Sequence, residues 1–353
     1  MKNISLIGSG HRVKSTIIPA ILNSKQLKIN QVISKQENKI ITIKNEGINH
    51  KYKTIQLQDI KLENIHYIYI GITKNEINKV LSQLILNSLI KNIVLLIDTP
   101  PIYIKNILSI YKFKYFKNVY VIEDWPFFLT TKIYRHIINS NKLGKIKHAE
   151  FLHSSYEYHT LSLLRVLLNI NFFTFMKKEK SYFGFSNIKI FNKFSLIAKI
   201  KEPLNNSIGQ FLLFGSKGFL SNSYMISNKT NNNFYIKYII YKNFFLGISL
   251  YQKNRKIEDF LLKDKIKLKS KDFNNEIYYI LKTNAVNNIF WKLSKDKLKN
   301  IYTLKDAIYD YIACIALEKF GIFFDLPIPF TNSSIVNFLI YLIYNYKSSK
   351  KNF

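Results

Sequence analysis

The stretch Ile4-Ser5-Leu6-Ile7-Gly8-Ser9-Gly10-His11-Arg12-Val13 constrains this chain more than any other. A short apolar strand starts almost at the first residue, a two-glycine turn breaks it, and a helical stretch follows from about Lys14 to Asn23. Strand, glycine turn and helix in that order are the context in which Gly-x-Gly binds a dinucleotide. Gly8 permits the tight turn, and Gly10 lacks the Cβ that would hold a pyrophosphate away from the backbone. Free N–H groups and the positive end of the helix then face the phosphates. Ser9, His11, Arg12 and Val13 complete the turn, with Val13 standing where a third small residue is usual. A plain strand-to-helix turn is the competing reading of the same residues.

The segments that follow alternate in the same way. Ile29 to Ile33 reads as a second strand ending at Ser34-Lys35, where a dinucleotide-binding fold places an acidic residue on the adenine ribose. A hydroxyl and a cation suit a 2′-phosphate better, which favours NADP over NAD, with Glu37 nearby as the contrary sign. Ile65 to Ile72 is an apolar strand leading to Thr73 and a helix over Glu76 to Leu89. Ile93 to Ile97 is another, ending in Asp98-Thr99-Pro100 before a helix over Ile102 to Tyr111. Val119 to Ile122 closes with Glu123-Asp124-Trp125. Unbroken apolar strands between helices predict a parallel sheet covered on both faces, whose ligands lie at the carboxyl ends of the strands. That rule gathers Gly8 to Val13, Ser34, Lys35, Thr73, Asp98, Thr99, Pro100 and Trp125 along one rim as the cofactor-binding set.

Beyond that point a helix over Thr131 to Ser140, a strand over Lys145 to His153 and a helix over Ser155 to Leu168 are predicted. From Phe185 to about Gln252 the pattern changes to alternating aromatic-rich segments (Ile188 to Ile200, Gln210 to Phe214, Phe234 to Tyr241, Phe245 to Tyr251), the signature of a largely antiparallel sheet. Helices return, with Leu304 to Phe320 the clearest, and the tail from Lys347 reads as frayed. The predicted fold is α/β: an N-terminal Rossmann doubly wound parallel sheet over 1–124, then a C-terminal α/β domain with an open, mainly antiparallel sheet over 125–353. A length of 353 residues agrees with two domains.

The net charge of +31 raises a nucleic-acid partner, but the charge is spread along the whole chain and is almost all lysine. Abundant Lys, Asn, Ile, Phe and Tyr with scarce Gly, Ala, Pro and Arg is what AT-rich coding produces, so the basicity reads as codon bias in a bacterial protein. No nucleic-acid partner is expected. Cys314 is the single cysteine, which excludes an internal disulfide and a cysteine-rich metal site; no metal is expected. No secretory leader is recognised, and the apolar patch Ile335 to Tyr346 is short and broken by Asn337 and Asn345, so a cytoplasmic protein without a membrane partner is expected. Asp306 and Asp310 share a helical face and read as solvated surface.

The order of landmarks resembles the Gfo/Idh/MocA oxidoreductases: a two-glycine turn, a strand ending in acid-x-Pro, a strand ending at Glu123-Asp124-Trp125-Pro126-Phe127, then Leu143-Gly144-Lys145-Ile146 and a histidine helix. It covers roughly Met1 to Leu168 in landmarks and the remainder in architecture. The resemblance implies an NAD(P)-dependent hydride transfer on a small molecule, with the open sheet of the second domain serving a homo-oligomer. Gly8 and Gly10 match the dinucleotide turn, and His159 matches the catalytic histidine. Asp98-Thr99-Pro100 occupies the place of Glu-Lys-Pro, so Thr99 replaces the lysine that polarises the reacting oxygen. Ser155 stands where an acidic residue is usual.

The residues support a limited set of reactions. His159 is the candidate general acid or base, Tyr158 or Tyr156 a second, and Glu157 a group to orient the imidazole. Thr99 donates a hydrogen bond but carries no charge, so it stabilises an alkoxide poorly. An imine needs less such help, which makes a reductase similar to the thiazolinyl imine reductases the alternative, and a cofactor-binding homologue without turnover the third reading. Lys74 or Lys105 could in principle replace the missing charge, but lysine is too common in this chain to single either out. Arg12 is placed either on the pyrophosphate or 2′-phosphate or in solvent, Arg165 in a structural ion pair with Glu157 or on an anionic substrate, and Trp125 beside the nicotinamide or in the domain junction.

Overall fold

A computed structural model describes residues 1–45, 47–153, 156–182, 185–191, 195–201, 209–222, 232–268, 273–297, 301–328 and 334–345. The chain divides into two compact units: Met1–Asp124 with Thr283–Tyr311 and Val336–Phe353, and Trp125–Lys282 with Ile312–Ile335.

The first unit is built on strands β1 (Lys2–Ile7), β2 (Leu27–Ile33), β3 (Ile40–Asn45), β4 (Ile48–Ile55), β5 (Tyr67–Ile70), β6 (Val94–Asp98) and β7 (Asn118–Ile122). They form one sheet in the order β3-β4-β2-β1-β5-β6-β7. The pairs β1–β2, β1–β5, β5–β6, β6–β7 and β2–β4 are parallel, and only the β3–β4 hairpin runs antiparallel. The order reverses between β1 and β5, which is the switch point where open α/β sheets hold ligands. Ile4, Leu6, Ile68, Ile70, Leu95, Leu96 and Ile97 are fully buried, as strands covered on both faces require. Each such side chain contributes about 1.5–3 kcal/mol of burial.

The predicted first helix departs from a regular α-helix. Val13–Ile17 forms a π-turn, with Ile18 N–H donating to the Val13 carbonyl, and α1 proper is Ile18–Ser24. Pro19 has no N–H to give the preceding turn, and the wider turn before it lets the helix run through the proline. Helix α2 (Ile77–Leu84) is shorter than expected, and the segment Ile104–Tyr115 is 3-10 rather than α-helix. The Thr99–Pro100 peptide is cis. Residues 301–303 run beside β7, with Val121 N–H donating to the Tyr302 carbonyl at 3.3 Å.

The second unit carries α3 (Leu129–Asn139), β8 (Ile146–Leu152), α4 (Glu157–Leu168) and strands β9 (Phe175–Tyr182), β10 (Phe185–Phe191), β11 (Ser195–Lys201), β12 (Gln210–Gly215), β13 (Gly218–Ser221), β14 (Asn232–Tyr241), β15 (Phe244–Gln252) and β16 (Arg255–Lys267). With β17 (Ile322–Phe324) they make a sheet ordered β16-β15-β14-β13-β12-β8-β11-β10-β9-β17. All its pairs are antiparallel except β8–β11 and β13–β14. Tyr134 of α3 stacks on Phe211 of β12 at 4.3 Å, seating that helix on the sheet. The alternating segment Ile188 to Ile200 holds parts of two strands, β10 and β11, paired antiparallel.

Helices α5 (Phe273–Ser294), α6 (Leu304–Phe320) and α7 (Ile335–Asn345) complete the chain. Thr303 opens α6: its hydroxyl accepts from Asp306 N–H at 3.2 Å while the Asp306 carboxylate accepts from Thr303 N–H at 3.0 Å. That reciprocal pair is a capping box. Asp310 is fully buried and accepts from the Tyr302 hydroxyl. The solvated surface expected of this pair therefore fails at Asp310, which turns into the core, while Asp306 stays half-buried at the helix start; each carboxylate has a protein donor. No helix among the described residues is long and apolar enough to cross a membrane. The tail from Lys347 lies outside the described residues, as does Ser155.

Candidate functional site: the rim of the parallel sheet

At the carboxyl end of β1 the two glycines serve different ends. Gly8 has φ +120°, and a Cβ there would lie 2.3 Å from the Gly71 carbonyl oxygen. Its N–H donates to Ile33 at 2.8 Å, and Gly71 N–H donates to Ile7 at 2.8 Å, so the turn is fixed between β2 and β5. Gly10 is exposed, and a Cβ there would meet nothing within 4 Å. Gly8 is thus held by the protein's own packing, whereas the space over Gly10 is open. The first helical bond follows at once, Lys14 N–H to the Gly10 carbonyl at 3.2 Å. His11 is exposed, and Val13 is fully buried in the core. The Ser9 and Ser34 hydroxyls lie 2.9 Å apart, joining the turn to the end of β2. Lys35 pairs with Glu76 at 3.3 Å across an exposed surface, and Glu37 accepts from Gln56 at 3.1 Å. An open cradle of backbone amides beside a hydroxyl pair fits the diphosphate and adenosine half of a dinucleotide.

The other side of β1 carries charge. Arg12 reaches along the strand ends: its Nη1 donates to Asp124 Oδ2 at 2.5 Å and its Nε to Asp98 Oδ1 at 3.3 Å. Burial works against this charge, but Asp124 and Asp98 outweigh it, and the guanidinium is held protonated well above its ordinary range. Its polar atoms point to the ends of β6 and β7. The Tyr69 hydroxyl of β5 is buried close enough to Asp98 and Arg12 to feel both charges, yet has no partner at hydrogen-bonding geometry among the described residues. Burial, and then Asp98, push that phenol well up. Gly71 leaves room for the ring, since a Cβ there would lie 2.6 Å from Tyr69 Cε1.

Lys74 is the residue that sequence reasoning set aside. It is 6 % exposed, and its Nζ donates to the Asp98 carbonyl at 2.7 Å, one peptide from Thr99. Burial pushes this ammonium down to about 8, against the pull of Asp98 and with a further push from Arg12. Thr73 beside it is exposed, and Thr99 and Pro100 are half-buried at the end of β6. In a chain this rich in lysine, no sequence signal separates Lys74 from its neighbours; only the fold does.

The candidate residues of the second unit gather at the start of α4. His159 is half-buried, its ring edge-on to Tyr158 at 5.2 Å, and Tyr158 is buried. Glu157 turns to the sheet, accepting from Lys178 Nζ at 2.7 Å and Ser186 at 3.2 Å, so its placement follows β9 and β10. Arg165 is buried and donates to the Asn171 carbonyl at 2.8 Å. Trp125 is buried and stacks on Phe128 at 4.7 Å. Tyr156 is exposed.

Neither a protein-family model nor a curated protein matches the sequence. Solved structures are similar in fold over nearly the whole chain. A super-repressor mutant of Gal80p from Saccharomyces cerevisiae superposes with TM-score 0.60 at 12% identity, covering 98% of this chain and 99% of that one. An oxidoreductase from Thermotoga maritima gives 0.56 at 9%, covering 92% and 98%. An oxidoreductase from Agrobacterium radiobacter, in complex with NAD+, L-tartaric acid and magnesium, gives 0.54 at 10%, covering 88% and 93%.

Proposed function

We propose, from the premise that the chain has the fold of the Gfo/Idh/MocA-type oxidoreductases, that it binds NADP(H) or NAD(H) and transfers a hydride to or from a small-molecule substrate. The observation that carries this reading is the open space over Gly10 at the head of the first helix, beside a Gly8 that the fold itself demands. The backbone of Gly8 to Val13 would hold the diphosphate, and Ser9, Ser34 and Lys35 the adenosine ribose, where a hydroxyl and a cation suit a 2′-phosphate. Nicotinamide, when bound, supplies the hydride. The neighbour from Agrobacterium radiobacter carries NAD+, which supports a nicotinamide cofactor.

His159 is the group for the accompanying proton, with Tyr158 as its neighbour; the resemblance assigns that role, and an imidazole at the start of α4 can give or take a proton. Thr99 lacks the charge to steady an alkoxide, which keeps an imine reductase as the alternative to an alcohol or ketone oxidoreductase. The Gal80p neighbour bears on a second reading, a cofactor-binding protein without turnover, since the fold also serves a repressor. Titration with NADPH and NADH followed by nucleotide fluorescence tests binding. Turnover trials with ketone and cyclic imine substrates then divide the enzymes, and His159→Ala is expected to lower kcat about 10²–10⁴-fold with nucleotide affinity unchanged. Unchanged turnover in that variant removes His159 from the reaction.

A further inference from the structure

If the adenosine half of a dinucleotide were held at the end of β2, its ring-bearing half would fall on the other side of β1, where β5 and β6 end. Two side chains mark that place, Thr99 at the end of β6 and Lys74 just past the end of β5. The Lys74 ammonium has three donors, and its hydrogen bond among the described residues is the one to the Asp98 carbonyl. Among the described residues, two N–H groups of a nearly buried cation are thus left without acceptors. The Tyr69 hydroxyl, also buried, has no well-formed partner in the same cluster. A buried ammonium with donors to spare is costly unless something else accepts from it.

We propose that Lys74 is the cation that holds the ring-bearing half of a bound nicotinamide dinucleotide, donating to its ribose hydroxyls from the loop after β5. It thereby brings to this end of the sheet the positive charge that Thr99 lacks. This assignment rests on the nucleotide reading above. The charged and titratable groups that face Lys74 are Asp98 from β6, Arg12 from the helix head and, through them, Tyr69 of β5 and Asp124 past β7. Glu76 on its own loop is engaged by Lys35. Burial has already brought this ammonium to about 8, so its hold on a ligand is strongest below that pH and weakens above it.

The experiment measures dissociation constants for NADPH, NADH and ADP between about pH 6.5 and about pH 9.5, in wild type, Lys74→Met and Lys74→Arg, with circular dichroism to establish folding. In wild type, affinity for NADPH and NADH falls about tenfold or more as Lys74 loses its proton, while ADP, which lacks the second ribose, shows no such fall. Lys74→Met binds both dinucleotides about tenfold more weakly at neutral pH, with no further fall above pH 8. Lys74→Arg, charged throughout, keeps its affinity into the alkaline range. Wild-type affinity and pH profile in folded Lys74→Met would overturn the assignment and leave the nucleotide reading standing. A wild type that binds none of the three ligands at any pH overturns both.

Discussion

Among single residues, Lys74 shows most plainly how the fold gives one of many equivalent side chains a distinct chemistry. Its ordinary ammonium is taken down to about 8 by burial. The sign of the stability effect follows: between the folded value and the unfolded value near 10.4, the unfolded chain binds more protons, so stability rises with pH across that window. Below about pH 8 the full cost of the buried charge is carried by the folded state, on the order of 3 kcal/mol. Lys74→Met removes that titration. Denaturant melts at a series of pH values should show wild type gaining about 2–3 kcal/mol relative to the variant from pH 8 to beyond pH 10; parallel curves would mean that Lys74 is not buried in solution. Gly8 and Gly10 make the complementary case, since the sequence shows two glycines alike and the structure separates one required by packing from one that packing does not need.

The secondary-structure elements divide by how far the protein covers them. The parallel strands were legible because burial on both faces leaves an unbroken apolar run, as in β5 and β6. The β3–β4 hairpin and β16 were not, because their side chains are largely exposed and the lysine-rich composition hides alternation at such edges. The glycine turn was readable from local sequence, but the Arg12–Asp98–Asp124 cluster joins residues far apart in the chain and needs the sheet order to appear. A similar long-range pair ties α4 to the second sheet. Lys178 of β9 holds Glu157, one of whose oxygens is buried without a partner among the described residues, so Lys178→Met strands a carboxylate there. That variant is expected to lose about 2–4 kcal/mol in denaturant melts, and Lys178→Met combined with Glu157→Gln to recover much of it. A loss below about 0.5 kcal/mol would show that the pair is solvated.

For the whole molecule, sequence and structure agree on class: a mainly parallel sheet of seven strands and a mostly antiparallel one of ten. Helix–strand alternation in the first half and aromatic alternation in the second were enough to foresee that, because each sheet type imposes its own burial period. Identities of 7–13% to solved relatives of the same fold show how little side-chain identity the architecture needs. The function therefore depends on the site, and the site depends on whether the space over Gly10 receives a diphosphate. The direct measurement is NADPH and NADH affinity in wild type and Gly10→Ala, together with their melting temperatures. A methyl group at Gly10 enters space with no protein atom within 4 Å, so the variant should melt with wild type. It should bind nucleotide at least about tenfold more weakly, because the added Cβ stands where the phosphates approach the backbone. Absence of binding by wild type, or equal affinity in a folded Gly10→Ala protein, would contradict the account.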